Sequence, residues 1–379
     1  MNQKIKWILL TILAFSMLIS CDETPQEGTL KPTYTFLLGA YTDNLDQGIG
    51  LLSFNFEEGI LGISTIAKGV NNPSFVIATR AQDWVFAVEE TNEGKVKVFA
   101  FDRIKNTLTL TDEQPSLGAH PCYLALSPDE KYLVVGNYSG GNFTVYQVNN
   151  GKLTQVQTVQ HEGSSINLSR QAQSHVHSTV FHPDGKHLFV CDLGSDKIFS
   201  YQYRPDFAVP FQASTQVYFE VEAGEGPRHM AIHPNGKYLY LVHELSAAIG
   251  AYTFQNNQIQ HIETYALTDP AFVGVVSAAE VKISPDAKFL YVSNRGEANE
   301  LTSYKIKDDG TLELLERIST EGITPRNFSL TKDGKYLLVA HQDSEDIQVF
   351  ERSITTGKLT KVDLLISTYK PVYLFPLDG

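Results

Sequence analysis

The chain has 379 residues, 42% hydrophobic and 19% charged, with 27 Gly and 18 Tyr, which excludes a disordered, collagenous or coiled-coil polypeptide and allows a large packed core. Thirty Lys and Arg against 43 Asp and Glu leave a net charge of −13, so nucleic acid is not expected as a partner, because phosphate binding rests on cationic surface. Three cysteines without a C-x-x-C pair offer neither a disulfide framework nor a zinc site.

At the N-terminus, Lys4 and Lys6 precede an apolar run from Trp7 to Ile19, the length of a signal-peptide core rather than of a membrane span. Leu18-Ile19-Ser20-Cys21 resembles a bacterial lipobox, which makes residues 1–20 a lipoprotein signal peptide and Cys21 the lipidated first residue of the mature protein. A non-lipidated secretory leader is the alternative, and either one sends the protein out of the cytoplasm. Residues 21–32 are polar, contain two prolines and no periodicity, and read as a tether. The expected location is the bacterial cell envelope, with the membrane reached only through the Cys21 lipid. Cys122 and Cys191 lie inside apolar runs and read as buried small hydrophobes.

Residues 33–379 are built from one repeat. Ser127-Pro128-Asp129-Glu130-Lys131-Tyr132-Leu133 recurs as His182-Pro183-Asp184-Gly185-Lys186-His187-Leu188 and as His233-Pro234-Asn235-Gly236-Lys237-Tyr238-Leu239. Ser284 to Leu290 and Thr331 to Leu337 continue the series, and a degenerate copy surrounds Asp83. The Asp/Asn positions 129, 184, 235, 286 and 333 are spaced by 55, 51, 51 and 47 residues. Each copy reads as apolar strand, Pro-Asp-Gly turn, apolar strand, polar break and alternating strand. Pro presets φ and Gly tolerates positive φ, so the tetrapeptide is a hairpin turn for a mechanical reason. Four-stranded units of about fifty residues arranged radially make an all-β propeller.

Units begin near Pro73, Pro121, Val176, Pro227, Ala278 and Pro325, which is six. A seventh is split. Thr35 to Tyr41 reads as a second strand lacking its first, and Lys370 to Phe375 as a first strand lacking the rest. Pairing residues 371–376 with 35–40 would close the ring and remove the open sheet edges. The expectation is one seven-bladed domain of four antiparallel strands per blade, its first blade closed by the C-terminal strand, and a monomer.

In a propeller the first strands line the central channel, so equivalent positions form a ring. Alignment on the turns puts Ser74, Cys122, His177, Arg228, Ala279, Arg326 and Val372 at one level. Phe75, Tyr123, Ser178, His229, Glu280, Asn327 and Tyr373 come next. The ends of the second strands add Glu89-Glu90, Asn137, Asp192, His243-Glu244, Asn294-Arg295 and His341-Gln342. Any one of these could be polar because loop ends are wet. Together they supply convergent polar groups on a rigid scaffold, which is what a small-molecule site requires. Guanidinium groups among them favour an anionic or polyhydroxylated ligand such as a sugar acid.

Weaker signals point elsewhere. His175, His177, His182 and His187 could be imagined around a metal, but they lack a ligand-spacing signature, and His182 occupies the turn position of Ser127 and Ser284. No metal and no organic cofactor is expected. Gly140-Gly141 and Gly224-x-Gly226 are turns with no following helix to bind phosphate. No Gly-x-Ser-x-Gly elbow marks a serine hydrolase.

The repeated turn units, Gly224-Glu225-Gly226-Pro227-Arg228-His229-Met230, Ala278-Ala279-Glu280-Val281, Val292-Ser293-Asn294-Arg295-Gly296 and Thr324-Pro325-Arg326-Asn327-Phe328 resemble the seven-bladed lactonase family. Its members include propeller-type 6-phosphogluconolactonases and fungal carboxymuconate lactonising enzymes. The resemblance covers about residues 33 to 377. It implies an active site of one His, two Arg and one Glu, which by position are His177, Arg228, Glu244 and Arg295. It implies hydrolysis of a sugar lactone, with the arginines stabilising the oxyanion and His177 as base oriented by Glu244. His229, Glu280, Asn294, Arg326, His341 and Gln342 are the expected substrate-binding neighbours. Because phosphogluconolactone is an intracellular intermediate, an envelope address leaves two readings open: a different, unphosphorylated lactone outside the cytoplasm, or the family's fold without its activity. A non-catalytic propeller binding a sugar acid or a protein partner, and a lactone-forming cycloisomerase, are the alternatives.

Overall fold

The structure, a computed structural model, describes residues 33–55 and 58–377. The expected signal peptide, Cys21 and the tether lie outside the described residues. Seven four-stranded sheets are formed, all pairings antiparallel, and no helix occurs among the described residues. The first strands of six blades are Val76–Ala78, Pro121–Leu126, Val176–Phe181, Pro227–Ile232, Val276–Ile283 and Pro325–Leu330. In the remaining blade that place is taken by the C-terminal strand Pro371–Leu377, paired with Tyr34–Ala40. The register runs from Thr35 opposite Leu377 to Ala40 opposite Pro371, so the ends of the chain share one blade as expected. The seven first strands contact one another in cyclic order around the channel.

Burial follows strand position. Second strands such as Tyr132–Asn137, Tyr238–His243 and Tyr336–His341 are buried at every residue, which explains their unbroken apolar runs. Outermost strands such as Lys152–Gln160 are mostly exposed or half-buried, with Leu153 alone buried. The core consists of clusters between adjacent blades. One joins Tyr240, Ile249 and Ala251 to Val281, Leu290 and Val292.

The repeated turns also latch blade to blade. Gly185, Gly236 and Gly334 adopt φ of 68°, 70° and 69°, and Glu130 and Ala287 hold the same left-handed conformation without glycine. His182 Nε2 donates to Gly236 O at 2.7 Å in the next turn, and His233 Nε2 to Ala287 O at 3.1 Å. Asp184 accepts from the backbone of Lys186 at 2.7 Å and bonds His187 Nδ1 at 2.7 Å. His182, Asp184 and His187 therefore form a close cluster in which both His182 nitrogens, both Asp184 oxygens and His187 Nδ1 are engaged in the turns. Cys122 and Cys191 are buried free thiols, and burial pushes the Cys191 thiol up to about 12.

One irregularity positions the site. The pairing of first and second strands slips at Pro121/Tyr123, Val176/Ser178, Pro227/Met230, Ala278/Val281 and Pro325/Asn327. In the closing blade the slip at Gly39/Ala40 leaves Val372 without a partner. A bulge re-aims the extra side chain. Cys122, His177, Arg228, Ala279, Arg326 and Val372, six of the seven residues of the ring read from the sequence, sit at these bulges, whereas Ser74 precedes its strand Val76–Ala78, whose pairing is regular.

Candidate active site

Near the end of the channel opposite the Pro-Asp-Gly turns lies a cavity of about 370 Å³, lined by Glu90, Cys122, Tyr138, Arg170, His177, Glu244, Ser277, Arg295 and Arg326. Beneath it, a chamber of about 20 Å³ touches Ser74, Arg228, His229 and Asn327, and is large enough for one water. A wider hollow of about 510 Å³ at the turn end of the channel is walled mainly by apolar side chains such as Leu126, Phe181 and Phe375, and lacks this concentration of charge.

Glu244 is the hub. Its Oε2 accepts from Arg228 Nε at 2.9 Å and lies 3.2 Å from Arg295 Nη2, while Oε1 accepts from Arg170 Nη2. Burial alone would raise the Glu244 carboxyl, but Arg295, Arg228 and Arg170 outweigh it and hold the pKa at about 2. Arg228 is 2% exposed and donates through Nη1 to Ala279 O at 2.5 Å. Arg295 is anchored through Nε to Ser277 O at 3.1 Å and through Nη2 to Ser277 Oγ at 2.8 Å. Arg326 Nη2 donates to the Tyr41 hydroxyl at 3.0 Å, and that hydroxyl bonds Glu90.

His177 Nε2 stands 3.8 Å from Glu244 Oε2, and its ring is edge-on to Tyr138 and to His229. Burial, reinforced by Arg228, lowers His177 well below the ordinary histidine value, so the imidazole is neutral with a lone pair at neutral pH. One level deeper, His229 Nδ1 bonds Glu280 Oε1 at 3.2 Å, and Asn327 donates to Glu280 Oε2. His229 is depressed to about 4 by burial and Arg228, and its buried Nε2 has no hydrogen-bond partner among the described residues.

The structure thus gathers His177, Glu244 and Arg295 at one cavity with Arg326 in its wall and Arg228 directly below. His229 and Glu280 form the next layer. It does not bring Asn294, His341 or Gln342 to the cavity. For Asn294 and His341 strand alternation is the reason: in each terminal pair the first residue turns into its blade and the second toward the channel. Asn294 Oδ1 accepts from Ser277 N, and His341 Nδ1 bonds Asp346 at 2.7 Å. Gln342 holds the second position of its pair, yet its amide bonds Asp343. The same alternation selects Glu90 over Glu89 and places Tyr138, after Asn137, in the wall. Arg170 comes from the connection 161–175 between two blades. The longest turn-to-turn interval, 55 residues, is the only sign of it in the sequence.

Residues 35–375 match the family described as lactonase, 7-bladed β-propeller. The chain belongs to that lactonase family. A 6-phosphogluconolactonase of Formosa agariphila is 31% identical over 348 residues, covering 89% of this chain and 98% of the relative. The 6-phosphogluconolactonase of Bacillus subtilis is 27% identical over 345 residues, covering 89% and 97%. Among solved structures, the periplasmic gluconolactonase PpgL of Pseudomonas aeruginosa superposes with a TM-score of 0.86 at 32% identity, covering 92% of this chain and 99% of that one. Within this lactonase the expected fold, its split blade and its enzyme class all hold.

Proposed function

We propose that this lactonase hydrolyses a sugar lactone in the 370 Å³ cavity, using its own side chains without a metal. The observation that carries the reading is the convergence of Arg170, Arg228 and Arg295 on Glu244 beside a neutral, buried His177. A water adds to the ring carbonyl carbon while His177 accepts its proton. Glu244, ionised throughout, stabilises the imidazolium so formed. The carbonyl oxygen becomes an oxyanion facing Arg295 and Arg326, whose charges stabilise it more than the neutral carbonyl. The ring C–O bond then breaks, the ring oxygen takes the proton back from His177, and the open hydroxy acid gives its carboxyl proton to solvent and leaves as the carboxylate. Arg228, bonded on both sides and almost wholly buried, positions Glu244 rather than touching the substrate.

The test is the opening of glucono-, galactono- and phosphogluconolactone above their spontaneous rates by residues 33–379. His177→Ala and Arg295→Ala should each lose at least 100-fold in kcat/KM. Wild-type turnover that survives both changes would remove the proposal, and tight binding of sugar acids without turnover would favour a binding propeller.

The envelope location extends this reading, supported by the leader-like residues 1–20, Cys21 and the periplasmic relative. Full-length protein should partition into detergent, and Cys21→Ser should abolish this.

A further inference from the structure

We propose that Arg170 is a specificity-determining residue, taking the anionic substituent of the substrate, a carboxylate or a phosphate, at the outer end of the cavity. The proposal rests on the lactone reading above and names the substrate feature that reading leaves open.

Charge is the first ground. Among the described residues, Arg170, Arg228, Arg295 and Arg326 surround the cavity and its floor, against the carboxylates of Glu244 and Glu90. Two positive charges are left over in a protein whose net charge is −13. An oxyanion entering the cavity meets that surplus.

The second ground is which guanidinium still has donors to give. Arg228 is committed to Glu244 and Ala279, and Arg295 to Ser277, Ala278 and Glu244. Arg326 lies over the Tyr41 ring and bonds its hydroxyl through Nη2, and its remaining donors serve the oxyanion in the mechanism above. The hydrogen bonds of Arg170 all pass through Nη2, to Glu244 Oε1 at 2.5 Å and to Tyr138 OH at 3.4 Å. Its side chain is 41% exposed, against 2% and 11% for Arg228 and Arg295. The Nε and Nη1 hydrogens face no partner among the described residues, and a guanidinium fork suits a two-oxygen acceptor.

The third ground is preorganisation. Although Arg170 lies on a connection rather than a strand, its neighbours hold that connection down. Gln171 is fully buried, with Nε2 on Leu193 O at 2.9 Å. His175 N donates to Asp192 Oδ1 at 2.7 Å, and the His175 ring stacks on Tyr138 at 4.4 Å. Little ordering entropy is then lost when an anion binds. Glu244 keeps Arg228 and Arg295 if Arg170 turns to the ligand.

The test compares the affinities of open acids by calorimetry: gluconate, the dicarboxylate glucarate and 6-phosphogluconate, on wild type, Arg170→Gln and Arg170→Lys. Wild type should prefer at least one of the two doubly anionic acids over gluconate by tenfold or more, and which one identifies the substituent. Arg170→Gln should bring that ratio within threefold of unity, with Arg170→Lys between. A wild-type ratio near one, or a ratio that Arg170→Gln leaves intact because all affinities fall together, would overturn the proposal. Melting curves confirm that the variants fold. These affinities need no turnover, so a wild type inert on every lactone would refute the hydrolase reading while the ratio still decides Arg170.

Discussion

Arg228 Nε and Glu244 Oε2 meet at 2.9 Å inside a single blade, one side chain from a bulge in the first strand and the other from just beyond the second. Both are almost fully buried, so neither charge can be satisfied by bulk water. Breaking such a pair by removing one partner costs about 3–5 kcal/mol, because the other charge stays buried. Arg228→Met should therefore lower unfolding free energy by about 3 kcal/mol in urea melts. It should also cut kcat/KM sharply, since Glu244 loses its fixed position. An unchanged melt would show that the pair contributes nothing to stability.

Stability should fall with acid earlier than carboxylates alone would make it. His229, facing Arg228, His177, Glu280 and Lys282, is depressed from 6.5 to about 4 in the folded protein. The unfolded chain therefore binds the extra proton first, and stability is lost as pH falls from about 6.5 toward 4, by about 3 kcal/mol for a fully buried group. His177 acts in the same direction. Glu244 and Glu280, each held at about 2, add a further loss below about 4.5. Urea midpoints at pH 7.5 and 5.0 measure this, and equal midpoints would contradict neutral buried imidazoles.

The same depression shapes the rate profile. With His177 neutral as base, kcat/KM should stay level from pH 8 to 6 and decline only further into acid. A decline centred near 6.5 would mean that the base is a histidine with an unshifted pKa.

Closure depends on the last strand. Leu374 is 1% exposed and Val372 3%, and both pack at the centre of the molecule. A chain ending at residue 369 would expose the edge of Tyr34–Ala40 and the apolar faces beside it. It should lose cooperative thermal unfolding and elute as aggregates on gel filtration. A monomeric, cooperatively melting truncation would show that six and three-quarter blades suffice.

Gly194 lies under the connection that carries Arg170, and a Cβ there would overlap the Gln173 carbonyl. Gly194→Ala should destabilise by about 1–3 kcal/mol, as overpacking does. By lifting residues 170–175 it should also weaken binding of anionic acids more than of gluconate. A fully stable variant with unaltered affinities would mean that the connection adapts freely.

Chelator treatment tests the His182, Asp184 and His187 cluster. Because Asp184 already bonds His187 and the turn backbone, and His182 the next turn, dialysis against EDTA should leave melting temperature and lactone turnover unchanged. A loss of either would mean that these side chains hold an ion.

The repeat was legible because its signals are local. Pro, Asp and Gly set turn geometry within four residues, the turns mark a period of about fifty residues, and unpaired strand-like ends at Thr35 and Lys370 close the count. Aligned positions on identical blades must form rings, so His177, Arg228, Glu244, Arg295 and Arg326 could be grouped before any coordinates. Which member of each terminal pair faces the channel follows from strand alternation, yet it depends on the register. By position alone Asn294 and His341 therefore fall in one ring with Glu244, although they turn the other way. The bulges that aim the ring residues inward arise from packing between first and second strands and leave no mark in local sequence. Arg170 meets Glu244 across 74 residues of chain, a contact created when one inter-blade connection folds over the channel. Propensity acts between neighbours along the chain, whereas burial and charge coupling act between neighbours in space. The sequence alone determined the propeller and its candidate ring, and only the tertiary structure decided which side chains share the cavity and which protons they hold.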